Sequence, residues 1–247
     1  MLRQVDDFAV ACPNEAIVKR LYDQIGKALQ LPSENTPPFK YLGLLNDFNG
    51  LDIVQHSDTI KLSCEKFIDR VLTTHGWLKP SPPLPSKPSA PLPVNAVTSL
   101  YAHQGPPENT AEHAALVSKC GFAYRTLLGE LLYACVTCHP DVGYATITLS
   151  KFSTCPHDHH FVMLKKVAKY LRLTKDWGII YRQSKPDNSL PPSNFVRSTM
   201  DAELPDFPTV DTQEPVTFLD AAHANDLRNR RSTTGYAFLL CGGVIFY

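Results

Sequence analysis

Two periods of apolar positions alternate along the first part of the chain. Met1–Val5 and Phe8–Ala11 are short apolar runs around Asp6 and Asp7, and they predict two strands joined by a tight turn. Over 14–29 the apolar positions Val18, Leu21, Ile25 and Leu29 fall on one helical stripe. Asn14 is placed to cap that helix and Glu15 suits its first turn. Strands are predicted at Phe39–Leu45, Gly50–Gln55 and Thr59–Leu62, the last two joined by His56-Ser57-Asp58. Ser63 is placed to cap a helix carrying Phe67, Val71 and Leu72, which ends at Gly76. The order strand, helix, strands, helix predicts an α+β fold, an antiparallel sheet with helices on one face.

The middle of the chain reads as helical. Tyr124, Leu128, Leu131, Leu132 and Cys135 keep helical spacing. Val142, Ala145, Leu149 and Phe152 do so again, after a Pro140 suited to a first turn. A third helix near Asp158–Leu173 buries Phe161, Leu164, Ala168 and Leu171, and Gly178–Tyr181 returns as a strand. The end is β-like, with strands at Val216–Asp220, Gly235–Leu240 and Val244–Tyr247, the last two flanking a hairpin turn at Cys241-Gly242-Gly243. Nine prolines fall between Pro80 and Pro107 and six between Pro186 and Pro215, so both stretches read as linkers or long surface loops. They divide the 247 residues into ordered blocks at 1–78, 111–183 and 216–247, with linkers at 79–110 and 184–215.

Composition narrows the classes of function. Apolar residues make up 43% and charged residues 19%, which suits a chain with a core. Lys and Arg balance Asp and Glu at 24 each, so any nucleic-acid surface must be a local patch. The longest mostly apolar stretch is about a dozen residues, short of the roughly 18 a membrane span needs. Asp6 and Asp7 interrupt any apolar signal core at the N-terminus. The seven cysteines are an odd number without a secretory signal, which favours reduced thiols. The expectation is an intracellular protein, cytoplasmic or nuclear, neither secreted nor bound to membrane.

The candidate chemistry begins at Val5-Asp6-Asp7-Phe8. Two adjacent carboxylates at a hairpin tip repel each other unless a cation sits between them. A divalent, oxygen-liking ion such as Mg²⁺ fits, and the plainer account is a solvated turn. Lys165, Lys169 and Arg172 lie at i, i+4 and i+7 on one stripe, flanked by Lys166. Such a stripe can track phosphates without reading bases, although a solvated helix face is the commoner fate of lysine. Cys135-Val136-Thr137-Cys138-His139 has the spacing of a c-type haem attachment. That attachment needs export or dedicated machinery, and Cys135 fits an apolar helix face. Cys138, His139, Cys155, His157, His159 and His160 offer zinc ligands at irregular spacing. Buried thiols and a polar helix start account for them as well.

In order along the chain, Asp6-Asp7, Tyr41-Leu42-Gly43…Gly50-Leu51-Asp52-Ile53, Ile60-Lys61-Leu62-Ser63 and Val71-Leu72…Gly76 resemble the palm of copia-type retrotransposon reverse transcriptases. The segment from Tyr124 to Tyr133, Pro140-Asp141-Val142-Gly143-Tyr144-Ala145, Leu149-Ser150-Lys151-Phe152 and Lys165-Lys166-Val167-Ala168-Lys169-Tyr170-Leu171 are similar to the region beyond the palm in that family. Asp220-Ala221, Arg230-Arg231-Ser232-Thr233-Thr234-Gly235-Tyr236 and Gly242-Gly243 resemble the opening of its RNase H domain.

The resemblance implies the C-terminal part of a palm at 1–78, a helical thumb and connection at 111–183, and an N-terminal fragment of an RNase H-like domain at 216–247. It implies an RNA-directed DNA polymerase that uses two Mg²⁺ ions, held in part by Asp6 and Asp7. Asp220 takes the place of the first RNase H acid, and the lysine stripe lies where the family holds its template–primer duplex. RNA or DNA template–primer and deoxynucleoside triphosphate are the implied partners. The third palm carboxylate, the fingers and an integrase are expected upstream of Met1, so the chain alone is expected to be inactive. The sequence departs from the family at Gln4, where a Tyr is usual, and at Ala222 and His223, where Asp and Trp are usual. The alternative function is a non-enzymatic module, a relic or co-opted protein that binds nucleic acid through the lysine stripe.

Overall fold

The computed structural model describes residues 2–4, 7–28, 41–78, 90–93, 95–182, 215–224 and 226–247. Strands β1 (Leu2–Gln4) and β2 (Asp7–Ala9) pair antiparallel, with Gln4 opposite Asp7. Helix α1 (Glu15–Ala28) follows, its first turn capped by the Asn14 side chain, which accepts from the Ala16 N–H at 2.9 Å. Its apolar face of Val18, Leu21 and Ile25 is only half-buried, and Leu29 lies outside the described residues.

The expected strand at 39–45 is not observed: residues 41–45 carry no strand, and 39 and 40 lie outside the described residues. The sheet instead begins with β3 (Asp47–Phe48), which turns into β4 (Leu51–Gln55) through Asn49 and Gly50, both at positive φ. Two such residues in succession are what a tight right-twisting hairpin requires. β5 (Thr59–Ser63) pairs antiparallel with β4 and leads into helix α2 (Glu65–Thr74).

Ser63 does not cap α2, because it is the last residue of β5, and Cys64 occupies the cap position without a side-chain bond. The cap comes from across the hairpin. The Asp52 carboxylate accepts from the Lys66 N–H at 3.2 Å and pairs with Lys66 Nζ at 2.6 Å. Asp52→Ala is expected to lower stability by about 1 kcal/mol, the usual worth of such a cap. Urea denaturation measures it, and a loss below about 0.3 kcal/mol would assign α2 no help from this carboxylate.

A short helix α3 (Ala96–Tyr101) lies inside the proline-rich stretch, with Ala96 and Leu100 buried. Helix α4 (Ala111–Cys120) starts at Thr110, whose hydroxyl accepts from the His113 N–H, and stops at Gly121 in the left-handed conformation. Helix α5 (Tyr124–Thr137) buries Tyr124, Leu127, Leu128, Leu131, Ala134 and Cys135, the spacing of one helical face. A 3₁₀ turn at Pro140–Val142 runs into α6 (Gly143–Ser150). Helix α7 (Asp158–Leu173) crosses both and buries Phe161, Leu164, Val167, Ala168, Tyr170 and Leu171. These residues join Ile68, Val71 and Leu72 of α2 in one apolar cluster.

After α7 the chain returns as β6 (Ile179–Arg182), which pairs antiparallel with β5 to complete a four-stranded sheet ordered β3-β4-β5-β6. A Cβ at Gly178 would lie 2.1 Å from the Leu62 carbonyl oxygen, so this return admits only glycine without a shift of backbone. A third antiparallel sheet contains β7 (Val216–Ala222), β8 (Thr233–Leu240) and β9 (Gly243–Phe246). Cys241 and Gly242, both at positive φ, turn β8 into β9. Two hydrogen bonds tie this sheet to β6: the Arg182 N–H donates to the Cys241 carbonyl at 2.7 Å, and the Tyr181 hydroxyl to Val244 O at 2.8 Å. The architecture is mixed α and β with antiparallel sheets. No helix among the described residues is long and apolar enough to cross a membrane.

Candidate functional site

Asp7 is exposed at the first position of β2, beside the β1–β2 turn, and Asp6 lies outside the described residues. Asp220 is exposed on β7, opposite Gly235 of β8. β7 is an edge strand of its sheet and continues two residues past Asp220.

The cations of α7 divide into two sorts. Lys165 Nζ lies 4.8 Å from the centre of the Trp77 ring. Arg172 donates from a guanidinium nitrogen to the Trp77 carbonyl oxygen at 2.7 Å, while its Nε is buried without a partner. Burial lowers the Arg172 pKa from its ordinary value. Both side chains therefore clasp the loop that ends α2 against α7. Lys169 is exposed and Lys166 half-buried, and neither has a carboxylate partner among the described residues. These two remain the part of the stripe turned to solvent.

The histidines at 157–160 serve the helix. His157 caps α7 by accepting from the His159 N–H at 3.2 Å. His160 reaches back so that its Nδ1 accepts from the His157 N–H at 2.9 Å. Its Nε2 carries the proton and donates to the Leu100 carbonyl at 2.9 Å, joining α7 to α3. Burial is the main cause that pushes the His160 pKa down to about 4. His159 bonds Ser99 Oγ at 3.1 Å, and burial also lowers its pKa.

Of the three remaining members of the zinc set read from the sequence, Cys155 is half-buried and outside any ligand cluster among the described residues, and the other two join a partner that spacing did not single out. Cys64, Cys138 and His139 are all buried, and one ligand atom from each lies within 4.8 Å of the other two. Three element ends meet there: Cys64 between β5 and α2, Cys138 at the end of α5, and His139 at the start of the 3₁₀ turn. The two thiols act on each other: the neighbouring Cys138 thiol lowers the Cys64 pKa against the opposing effect of burial, and Cys64 together with burial raises that of Cys138. His139 Nδ1 meets Asp141 Oδ1 at 3.2 Å, and its Nε2 is buried without a partner. Cys64 stands alone in sequence, and only the strand-to-helix corner brings it to Cys138. Cys135, the first member of the haem-like pattern, faces the apolar core from α5.

No family model and no solved structure matches the chain. Among curated proteins it is similar to a retrovirus-related Pol polyprotein from transposon TNT 1-94 of Nicotiana tabacum, 26% identical over 247 residues, 99% of this chain and 15% of that polyprotein. It is similar to a putative transposon Ty5-1 protein of Saccharomyces cerevisiae, 27% identical over 183 residues, 72% of this chain and 50% of that protein. It is also similar to the secreted RxLR effector protein 161 of Plasmopara viticola, 30% identical over 122 residues, 49% of this chain and 68% of that protein. The chain thus spans a small part of the tobacco polyprotein and half of the yeast protein. Its homologues include retrovirus-related Pol polyproteins of transposons, and the chain is homologous to a segment of them.

Proposed function

We propose that this segment is the reverse-transcriptase region of a copia-type polyprotein, from the second part of the palm at 1–78 through thumb and connection at 111–183 to the first strands of RNase H at 216–247. The observation that carries this reading is the antiparallel β1–β2 pair, whose second strand opens with the exposed Asp7, on a chain that matches a Pol polyprotein along nearly its whole length.

The parent reaction is nucleotidyl transfer. The primer 3′-oxygen attacks the α-phosphorus of a deoxynucleoside triphosphate, and pyrophosphate leaves. Asp7 is an exposed oxygen donor on a short hairpin, which suits Mg²⁺, an ion that keeps several of its waters. Asp6 and Asp7 would hold it. When bound, Mg²⁺ neutralises charge developing on the attacking and leaving oxygens. Lys166 and Lys169 would lie along the phosphates of the template–primer duplex. Asp220 would be a metal-holding acid of the RNase H fold, and one such acid does not assemble a two-metal centre.

Primer extension with Mg²⁺ tests the reading. The chain by itself is expected to incorporate no nucleotide, because two of the family's three palm acids are in this sequence. A chimera in which residues 1–183 replace the matching segment of an active copia-type polymerase is expected to extend primers. Asp6→Asn or Asp7→Asn in that chimera should reduce extension to background. Undiminished extension by either variant would place the metal-holding acids elsewhere. Salt-dependent duplex binding by the chain and the folded chimera, without extension and lost on Lys166→Glu with Lys169→Glu, would favour the non-enzymatic module.

A further inference from the structure

We propose that Cys64, Cys138 and His139 bind a zinc ion at the corner where the four-stranded sheet meets α5. This site is separate from the hairpin acids and does not depend on the polymerase reading.

The donor chemistry narrows the metal. Two sulfurs and one imidazole form a soft to borderline set, which suits Zn²⁺ and disfavours Mg²⁺ or Ca²⁺. Tetrahedral zinc with bonds of about 2.0–2.3 Å places its ligand atoms about 3.3–3.8 Å apart. Ligand atoms already within 4.8 Å of one another reach that geometry by closing about 1 Å, within the range of side-chain rotation.

The unpartnered imidazole nitrogen is the independent observation. His139 is fully buried, and a buried polar atom without a hydrogen bond is costly to the fold. Its Nδ1 is engaged by Asp141, so the proton sits there and Nε2 presents its lone pair. This is the arrangement seen where a carboxylate orients a metal-bound histidine: one ring nitrogen donates to the acid and the other coordinates. A metal at Nε2 satisfies the one atom of this ring that the fold leaves without a partner.

A cleft lined by Cys138, His139, Asp141, Trp177, Ile180 and Gly243 borders two of the three ligand residues, whose side chains are themselves buried. Three protein ligands leave one place for a water molecule. Binding expels the thiol protons to solvent, and no electron changes hands. The ligands arrive from β5–α2, the end of α5 and the 3₁₀ turn, so the site exists only in the folded chain.

The test uses the whole chain, reduced and stripped by chelator, then given Zn²⁺ or Co²⁺ and desalted. Zinc close to one per chain is expected, with a sulfur-to-cobalt charge-transfer band in the cobalt form. Cys64→Ser, Cys138→Ser and His139→Gln should each lower retained metal at least about tenfold, and Cys155→Ser should leave it unchanged. Asp141→Asn should weaken binding about 10- to 100-fold, the usual effect of losing such an orienting acid. Negligible zinc in folded wild-type protein, or retention unaffected by the three ligand variants, would overturn the proposal. So would a Cys64–Cys138 disulfide as the form isolated under air. If the ligand variants fail to fold, the cobalt spectrum of the wild type decides, and absence of the sulfur band refutes the site.

Discussion

Phe161→Ala is expected to remove about 3–5 kcal/mol of folding stability, a large share of the roughly 5–15 kcal/mol that holds a typical domain together. Phe161 stands in the first turn of α7 with 1% of its surface exposed. Its ring lies 5.3 Å from Phe122 and 5.1 Å from Tyr124, so the truncation removes contacts from the loop before α5 and from α5 itself. The cost depends on whether neighbours can fall into the gap. Tyr124 cannot do so freely, because its hydroxyl is held by the Leu149 carbonyl at 2.9 Å. Phe122 is anchored on its other side by Trp77 at 5.3 Å. The cavity therefore persists, and the loss belongs at the upper end of the range. Urea unfolding of the variant and of Phe161→Leu measures it. A loss under about 1 kcal/mol for the alanine variant would show that α7 does not depend on this ring.

Acid is expected to weaken the fold through His160, by on the order of 3 kcal/mol between pH 7 and pH 4. The sign comes from the direction of the shift. The folded protein holds this imidazole neutral, with its pKa at about 4 against the ordinary 6.5, mainly through burial. Its stabilising contribution is complete above pH 6.5 and is lost as pH falls from there through 4. The protonated ring must break a bond, because Nδ1 accepts from the His157 N–H and can no longer do so once it carries a proton. The positive charge of Arg228 opposes protonation further, and the Phe152 ring stacked at 4.2 Å keeps water away. Asp158, held below its usual pKa by Lys119, adds its own loss at lower pH. A comparison isolates the imidazole. His160→Gln should be less stable than wild type at pH 7, and the gap should narrow as pH falls toward 4. Denaturation curves that stay parallel over that range would exclude His160 as the acid-sensitive group.

Much of the secondary structure is legible in the sequence where burial is one-sided and long. The stripes of α5 and α7 match the apolar spacing because each packs one face on the core, and β4, β5 and β7–β9 fall close to the predicted apolar runs, where they pair in register. Apolar spacing misleads where a stronger local or tertiary force applies. The strand expected at 39–45 gives way to a hairpin set by Asn49 and Gly50, whose positive φ values put the pairing after residue 46. Proline content conceals α3, which survives because Leu100 is fully buried and the His160 ring caps its Leu100 carbonyl. The lysine stripe is legible as spacing, yet two of its members are spent on Trp77, a contact between positions 77 and 165–172 that no local pattern encodes. The same holds for Cys64 beside Cys138 and His139, which only the meeting of three element ends brings together.

The pairing of β5 with β6 sets the order of events during synthesis. Thr59 meets Arg182 across the sheet, so β5 leaves the ribosome well before its neighbour exists. At about 5–20 residues per second the wait is on the order of 10 s. Throughout it, one row of β5 backbone N–H and C=O groups stands open, a template on which a second nascent chain can pair. The yield of native protein is therefore expected to fall as ribosomes crowd on the polysome, and slower initiation, which spaces them apart, is expected to shield that edge until β6 arrives.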